Sequence, residues 1–324
     1  MARRKKGRPV NGILVLDKPS GITSNAALQK VKRLFDAQKA GHTGSLDPLA
    51  TGVLPICLGE ATKLSHYLLD AHKRYRAKCF LGTMTTTGDS EGEILEQRPV
   101  AELDEARLLD LLETFKGTQQ QMPPMYSALK HNGRPLYEYA RNGIEIERKS
   151  REITIVELNL LNFEWSPDNP DGSPFIEIEV LCSKGTYIRS LCEDIGRALG
   201  CGAHIAELRR LEAEPFTLSQ AVSLEQLAQQ EDFAQRENLL LPVDLAIAGF
   251  PAVHLSSEEK GCIEHGHEVE FKGDSEHKAI SEHKALNNHK TGNMDFRLYF
   301  NNTLIALAVL DQNGKLKPKR LLFL

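Results

Sequence analysis

The apolar positions of the chain follow two different periods. Ile13 to Leu16 and Val53 to Leu58 are short, nearly continuous apolar runs, the pattern of buried strands bounded by turns. From Lys73 onward the chain alternates, with Tyr75, Ala77 and Cys79 on one side and Arg74, Arg76 and Lys78 on the other. This predicts a half-buried strand with a basic outer face. Residues 151–163 and 175–182 predict two more strands, joined by a turn-rich stretch at 166–172. Helical spacing is clearest at Ala27, Leu28, Val31, Leu34 and Phe35, where Ser24 is the expected cap and Lys30, Lys32 and Arg33 form the outer face. Further helices are predicted over Glu60–Leu69, over Leu103–Phe115, and after the glycine turn in Ser183–Gly200. An acidic, glutamine-rich connector follows at about 212–248. From Phe250 the runs FPAVHL, FRLYF, TLIALAVL and RLLFL alternate with turns, which predicts a small β-rich domain.

Length and composition suit one large domain plus a small one: 324 residues, 41% hydrophobic and 26% charged. No apolar run reaches the length of a membrane span, and the basic N-terminus lacks the apolar stretch of a secretory signal. The six cysteines are scattered without a CxxC pair, which argues for reduced, packed thiols and a cytoplasmic setting. The net charge of −4 conceals a cancellation. Residues 1–80 hold 15 Lys+Arg against 5 Asp+Glu, whereas residues 212–270 hold 2 against 12. The amino-terminal third is therefore able to present a phosphate-facing surface, although a solvated basic tail and helix face fit the same counts.

Candidate chemistry concentrates in Gly41–Ser65, which contains only two carboxylates in 25 residues. Asp47 stands between Leu46 and Pro48, among Gly41, Gly44 and Gly52. Proline biases the residue before it toward extended backbone, and the glycines permit tight turns and close approach. The segment reads as one acid displayed on a rigid loop ahead of a strand; an ordinary Asp-Pro turn has the same pattern. Met122 to Gly143 interleaves Lys130, His131, Arg134 and Arg141 with Tyr126, Tyr137 and Tyr139, a combination suited to RNA. His277, His283 and His289 recur every six residues, the first two in EHKA and the third in NHK; a polar solvated loop fits them better than a metal site, and no function is assigned to them.

Taken together, GHTGSLDPLATGVLPICLGEATK, Lys18-Pro19, KRYRA at Lys73, MYSALK at Met125 and SKGTYIR at Ser183 resemble the bacterial tRNA pseudouridine synthase B family. The resemblance covers about residues 10–245, with the blocks in matching order. It implies isomerisation of uridine to pseudouridine at position 55 in the T loop of tRNA, without cofactor or metal. In that family's terms Asp47 is the catalytic aspartate, Tyr75 the tyrosine against the target base, and Arg189 the arginine paired with the aspartate. His42 enters the space left by flipped-out bases, while Lys18, Lys63 and Tyr187 match further active-site or RNA-contacting positions. The resemblance further implies an α/β (α+β) fold: a catalytic domain over 1–248, built on a long, mainly antiparallel mixed sheet with flanking helices. An RNA-gripping thumb at about 122–143, carrying Lys130 and Arg141, and a PUA-like RNA-binding domain at 249–324 complete the expectation. The expected partner is the tRNA T stem-loop, bound by a monomer away from membranes. A non-catalytic tRNA-binding or tRNA-folding protein is the rival reading, against which a buried acid facing phosphates counts.

Overall fold

A computed structural model of the chain describes residues 7–102, 104–165, 174–271 and 295–324. Residues 1–6 of the basic tail, the turn at 166–172 and the His277/His283/His289 repeat lie outside the described residues.

The larger part of the chain is organised by one mixed sheet. Its strands are β1 (Gly12–Lys18), β2 (Ala40–His42), β3 (Thr51–Leu58), β4 (Lys73–Leu81), β5 (Gly117–Gln121), β6 (Arg151–Glu164), β7 (Phe175–Cys182) and β8 (Ala203–Ala213). The main path runs β1-β3-β8-β4-β7-β6-β5, with β2 hydrogen-bonded to β3. The pairings along this path are antiparallel except between its second and third strands, where β8 meets β3 in parallel at Arg209↔Thr51 and Arg210↔Gly52. Helices α1 (Ser24–Leu34), α2 (Glu105–Glu113) and α3 (Ile188–Ala198) accompany the sheet and contribute to its main core.

The continuous apolar runs have a direct explanation. Along β1, Leu14 and Leu16 enter the main core, while Ile13 and Val15 enter a second cluster. Along β3 the same division separates Leu54, Ile56 and Leu58 from Val53 and Cys57. Both faces of these strands are covered, so no alternation survives. On β4 the expected alternation holds, with Ala77 and Cys79 fully buried. Its basic face is not left free, however. Arg74 reaches Glu157 on β6 (2.7 Å), Glu179 on β7 (3.1 Å) and Glu212 on β8 (3.6 Å). That face of the sheet is thus an ionic network as well as a basic strip.

Two local readings are corrected. The N-cap of α1 is Thr23, whose hydroxyl accepts from the Ala26 N–H, and Ser24 is already helical and faces inward. The stretch at 212–248 is not a free connector. Val222 N–H donates to Val15 O, Asp17 N–H donates to Val222 O, and Leu241 exchanges both bonds with Ile13. Leu224 and Leu227 enter the main core, and Val243, Ala246 and Ile247 enter the second. The outermost strand β1 would otherwise expose unpaired backbone groups, and this segment covers them.

The tail forms a five-stranded sheet of β9 (Ala252–His254), β10 (Val269–Glu270), β11 (Asp295–Phe300), β12 (Thr303–Leu310) and β13 (Lys315–Leu321), in the order β9-β11-β12-β13-β10. It is not tethered as a separate bead. Leu304, Leu307 and Leu322 share the second cluster with Ile13, Val53 and Leu64. The Tyr67 hydroxyl donates to Asp295 (2.6 Å), and that of Tyr299 donates to Asp244 (2.6 Å). Leu307 is 1% exposed, so Leu307→Ala should cost about 2–5 kcal/mol. In denaturant the loss should appear in a single cooperative transition reported by probes in both sheets; two separate transitions would contradict the shared core.

Candidate active site

Asp47 lies in the loop between β2 and β3, and the sequence fixes that loop from both sides. On the near side, the Ser24 hydroxyl donates to Leu46 O (2.9 Å) and accepts from Leu46 N–H (2.7 Å). On the far side, Pro48 O accepts from Gly21 N–H (2.9 Å) and from the Lys18 ammonium (3.2 Å). The Ser20 hydroxyl donates to Leu49 O (3.1 Å). The turn from Lys18 to Ser24 is thus a clamp whose partners bracket the acid.

Arg189, near the start of α3, reaches the acid from across the sheet. Its Nε lies 2.9 Å from Asp47 Oδ2, and its two amino nitrogens donate to Thr87 O and Tyr126 O, each at 2.7 Å. Asp89 Oδ2 stands 3.8 Å from the same guanidinium. The Arg189 side chain is 5% exposed and that of Asp47 41%, so the cation is embedded while the acid remains open on one side. Glu193 stands one turn on along α3, the spacing of an ordinary surface ion pair, yet Arg189 turns inward to Asp47 instead. Three separate segments, at Asp47, Thr87 and Tyr126, converge on one guanidinium.

The electrostatics depart from the simplest expectation. Loss of hydration pushes the Asp47 carboxyl above its ordinary range, and this outweighs the downward pull of Arg189; the nearby Asp89 adds to the rise and Lys18 opposes it. Burial also raises the Tyr75 phenol, against the charge of Arg210. Tyr75 is therefore a protonated stacking and hydrogen-bonding group at neutral pH rather than a standing base. His42 is pulled down by burial and by the Arg210 charge, and its Nδ1 is buried without a hydrogen-bond partner.

The remaining expected residues fall into distinct places. Lys18 is fully buried, and its ammonium donates to Pro19 O, Ile22 O and Pro48 O. Burial lowers it to about 8. It supports the acid loop from below instead of facing outward. Lys63 pairs with Glu60 (2.5 Å) and donates to Leu321 O (2.9 Å), which ties the larger part of the chain to the tail. Tyr187 exchanges two bonds with the buried Gln121 amide and lies beneath the Arg151 guanidinium, 4.6 Å from its ring centroid. Lys130 and Arg141 are exposed on the excursion at 122–143.

Sequence reasoning missed two charged residues here. Asp89 is 3% exposed and accepts from the Thr87 hydroxyl (2.5 Å) and Glu91 N–H (3.1 Å); its signal was the turn Thr87-Gly88-Asp89. Arg210 is 1% exposed; its signal was the period of two that carries inward from Leu208. Among the described residues no group of three or more His, Cys, Asp or Glu is arranged to hold a metal, and no helix is long and apolar enough to cross a membrane. The five buried cysteines are free thiols, with Cys57 pushed up to about 12 by burial.

An acid held by a buried arginine at the centre of a mixed sheet is one feature; the comparisons with known proteins supply the family. The N-terminal domain of the TruB family pseudouridylate synthases matches residues 32–188, and the tRNA pseudouridylate synthase B C-terminal domain matches residues 189–248. The chain is 47% identical over 330 residues to tRNA pseudouridine synthase B of Vibrio campbellii, covering 99% of this chain and 98% of that protein. Against the protein of the same name from Aeromonas salmonicida it is 47% identical over 328 residues, covering 98% and 96%. Among solved structures, an H/ACA RNP bound to a substrate RNA containing 2′-deoxyuridine contains a chain that superposes with a TM-score of 0.69 at 22% identity, covering 100% of this chain and 92% of that one. A chain of a Cbf5-Nop10-Gar1 complex superposes at 0.67, also at 22% identity, with 99% and 91% covered; these two show the fold. The chain belongs to the TruB family of pseudouridine synthases. It is accordingly an isomerase that acts on RNA.

The electrostatic account is directly measurable. Carboxyl carbon NMR should place the Asp47 titration midpoint above the ordinary 3.8. In Arg189→Met, with the attracting cation removed, the midpoint should move higher still. A midpoint below 3.8, or a fall in the variant, would contradict the balance of burial and charge described here.

Proposed function

We propose that this protein converts uridine 55 in the T loop of tRNA to pseudouridine, with Asp47 as the catalytic carboxylate. The observation that carries this reading is the Asp47–Arg189 pair at 2.9 Å, with the acid open on one side and its loop clamped on the other. A protein that only bound RNA would gain nothing from fixing an acid where phosphates approach.

The reaction breaks the N1–C1′ bond, turns the uracil, and joins C5 to C1′. The C5 proton is lost and N1 gains one, so atoms balance without net oxidation, and no electron carrier is required. Asp47 acts in its ionised form, as a nucleophile toward the sugar or base or as the base that removes a sugar proton. Arg189 orients the carboxylate and keeps its charge from being lost to burial. Because the acid is raised, activity falls on acidification at a higher pH than an ordinary aspartate would give.

The uridine must leave the stack, at a cost of a few kcal/mol. Tyr75 packs against the extruded base. His42, neutral and with a free ring nitrogen, fills the space vacated by the T-loop bases. Lys130 and Arg141 on the thumb neutralise phosphates, and Tyr187 completes the wall beside Arg189. Lys18 and Lys63 serve by position, the first under the acid loop and the second at the join to the tail. Residues 1–248 form the synthase domain and 249–324 a PUA-like RNA-binding domain, in a monomeric cytoplasmic protein.

Release of tritium from tRNA labelled at uridine C5 tests the proposal. The parent should release it, whereas Asp47→Asn should bind tRNA within about threefold of the parent and release none. Tight binding without release by the parent would instead support the tRNA-binding reading, and full release by Asp47→Asn would remove the acid from the mechanism.

A further inference from the structure

Arg210 is the least exposed large charged side chain besides Lys18 among the described residues, and the proposed chemistry leaves it without a task. Its placement is specific. Strand β8 lies between β3, which begins directly after the Asp47 loop, and β4, which carries Tyr75. In the register of these strands Arg210 faces Gly52 on one side and Tyr75 on the other. Its Nε donates to Val53 O (2.6 Å) and an amino nitrogen donates to Gly44 O (3.4 Å), while Tyr75 stands directly opposite it on β4.

The surrounding backbone makes room for this arrangement. Gly52 has φ of +103°, and a Cβ there would lie 2.1 Å from Arg210 O. Gly44 has φ of +87° and sits three residues before Asp47, with Arg210 as the nearest neighbour of the side chain it lacks. One guanidinium thus joins the root of the acid loop to the start of β3, at the strand position that faces Tyr75. A planar fork with several fixed donors satisfies both carbonyls at once and keeps further N–H groups to spare, which an ammonium in the same place does not offer in fixed directions.

We infer that Arg210 is a positioning residue that sets the Tyr75 hydroxyl relative to Asp47, so that acid and phenol meet one nucleoside in a fixed arrangement. A guanidinium donating to the phenol oxygen occupies a lone pair and turns the O–H toward the base. It also polarises that O–H, since hydrogen bonds in series strengthen one another. Without Arg210 the phenol rotates freely. The inference rests on the reading of Tyr75 as the group against the target base.

The test is a double-mutant cycle with Arg210→Lys and Tyr75→Phe, read as the single-turnover rate on tRNA and, separately, as tRNA affinity. Arg210→Lys should lower the rate by at least ~10-fold with affinity within about threefold of the parent. In the Tyr75→Phe background the same substitution should cost less than about threefold, because its target is gone. Equal losses in both backgrounds, or no loss in the parent, would overturn the inference. A Tyr75→Phe variant at full rate would instead defeat the reading of Tyr75 on which it rests. Arg210→Gln, which keeps a planar amide without the charge, is the second variant and should show the same dependence on Tyr75. If neither Arg210 variant folds, as judged by circular dichroism, the residue belongs to the framework and the inference fails.

Discussion

The contact between Arg189 and Asp47 organises the site because each partner is costly alone. An unpaired guanidinium at 5% exposure has no water to replace its donors, and an acid beside it draws them into one geometry. Arg189 uses its remaining nitrogens on Thr87 O and Tyr126 O, so displacing the acid would disturb two other loops. The position of the carboxylate is therefore a property of several segments held together, not of one turn. Charge and hydration act against each other at this point. Burial raises the acid and Arg189 lowers it, and the balance leaves a carboxyl that is destabilised as an anion yet correctly aimed.

The fold serves this arrangement by covering both faces of β1 and β3. A strand pair buried on two sides cannot shift register without exposing apolar side chains to water. The Asp47 loop springs from that pair, and the turn from Lys18 to Ser24 grips it with four hydrogen-bond donors, one of which also accepts. The tail sheet supplies the second of the two covers.

Much of this was legible in the chain, for reasons that differ by residue. The alternation at Tyr75, Ala77 and Cys79 and the unbroken runs in β1 and β3 are direct consequences of one-sided and two-sided burial. The pairing of Arg189 with Asp47 was not readable from spacing, which offered an ion pair with Glu193 equally well; the resemblance of several blocks decided it. Lys18 was expected, from the resemblance alone, at an active-site or RNA-contacting position; that its ammonium would be spent on three backbone carbonyls had no signal in the chain. The stretch at 212–248 hid its few apolar anchors among many acids and glutamines. Asp89 and Arg210 were missed because one resembles a turn former and the other follows a solvent-facing arginine that pairs with Asp17.

The account makes the location of the carboxylate, more than its presence, the requirement for chemistry. Asp47→Glu keeps the charge and moves it by one methylene within a loop that cannot retreat. Its single-turnover rate on tRNA, measured beside its tRNA affinity, is the most direct test. The predicted result is a rate lowered by about 100-fold with affinity unchanged. A glutamate variant within a few-fold of the parent would show that the clamps and Arg189 do not set the reaction.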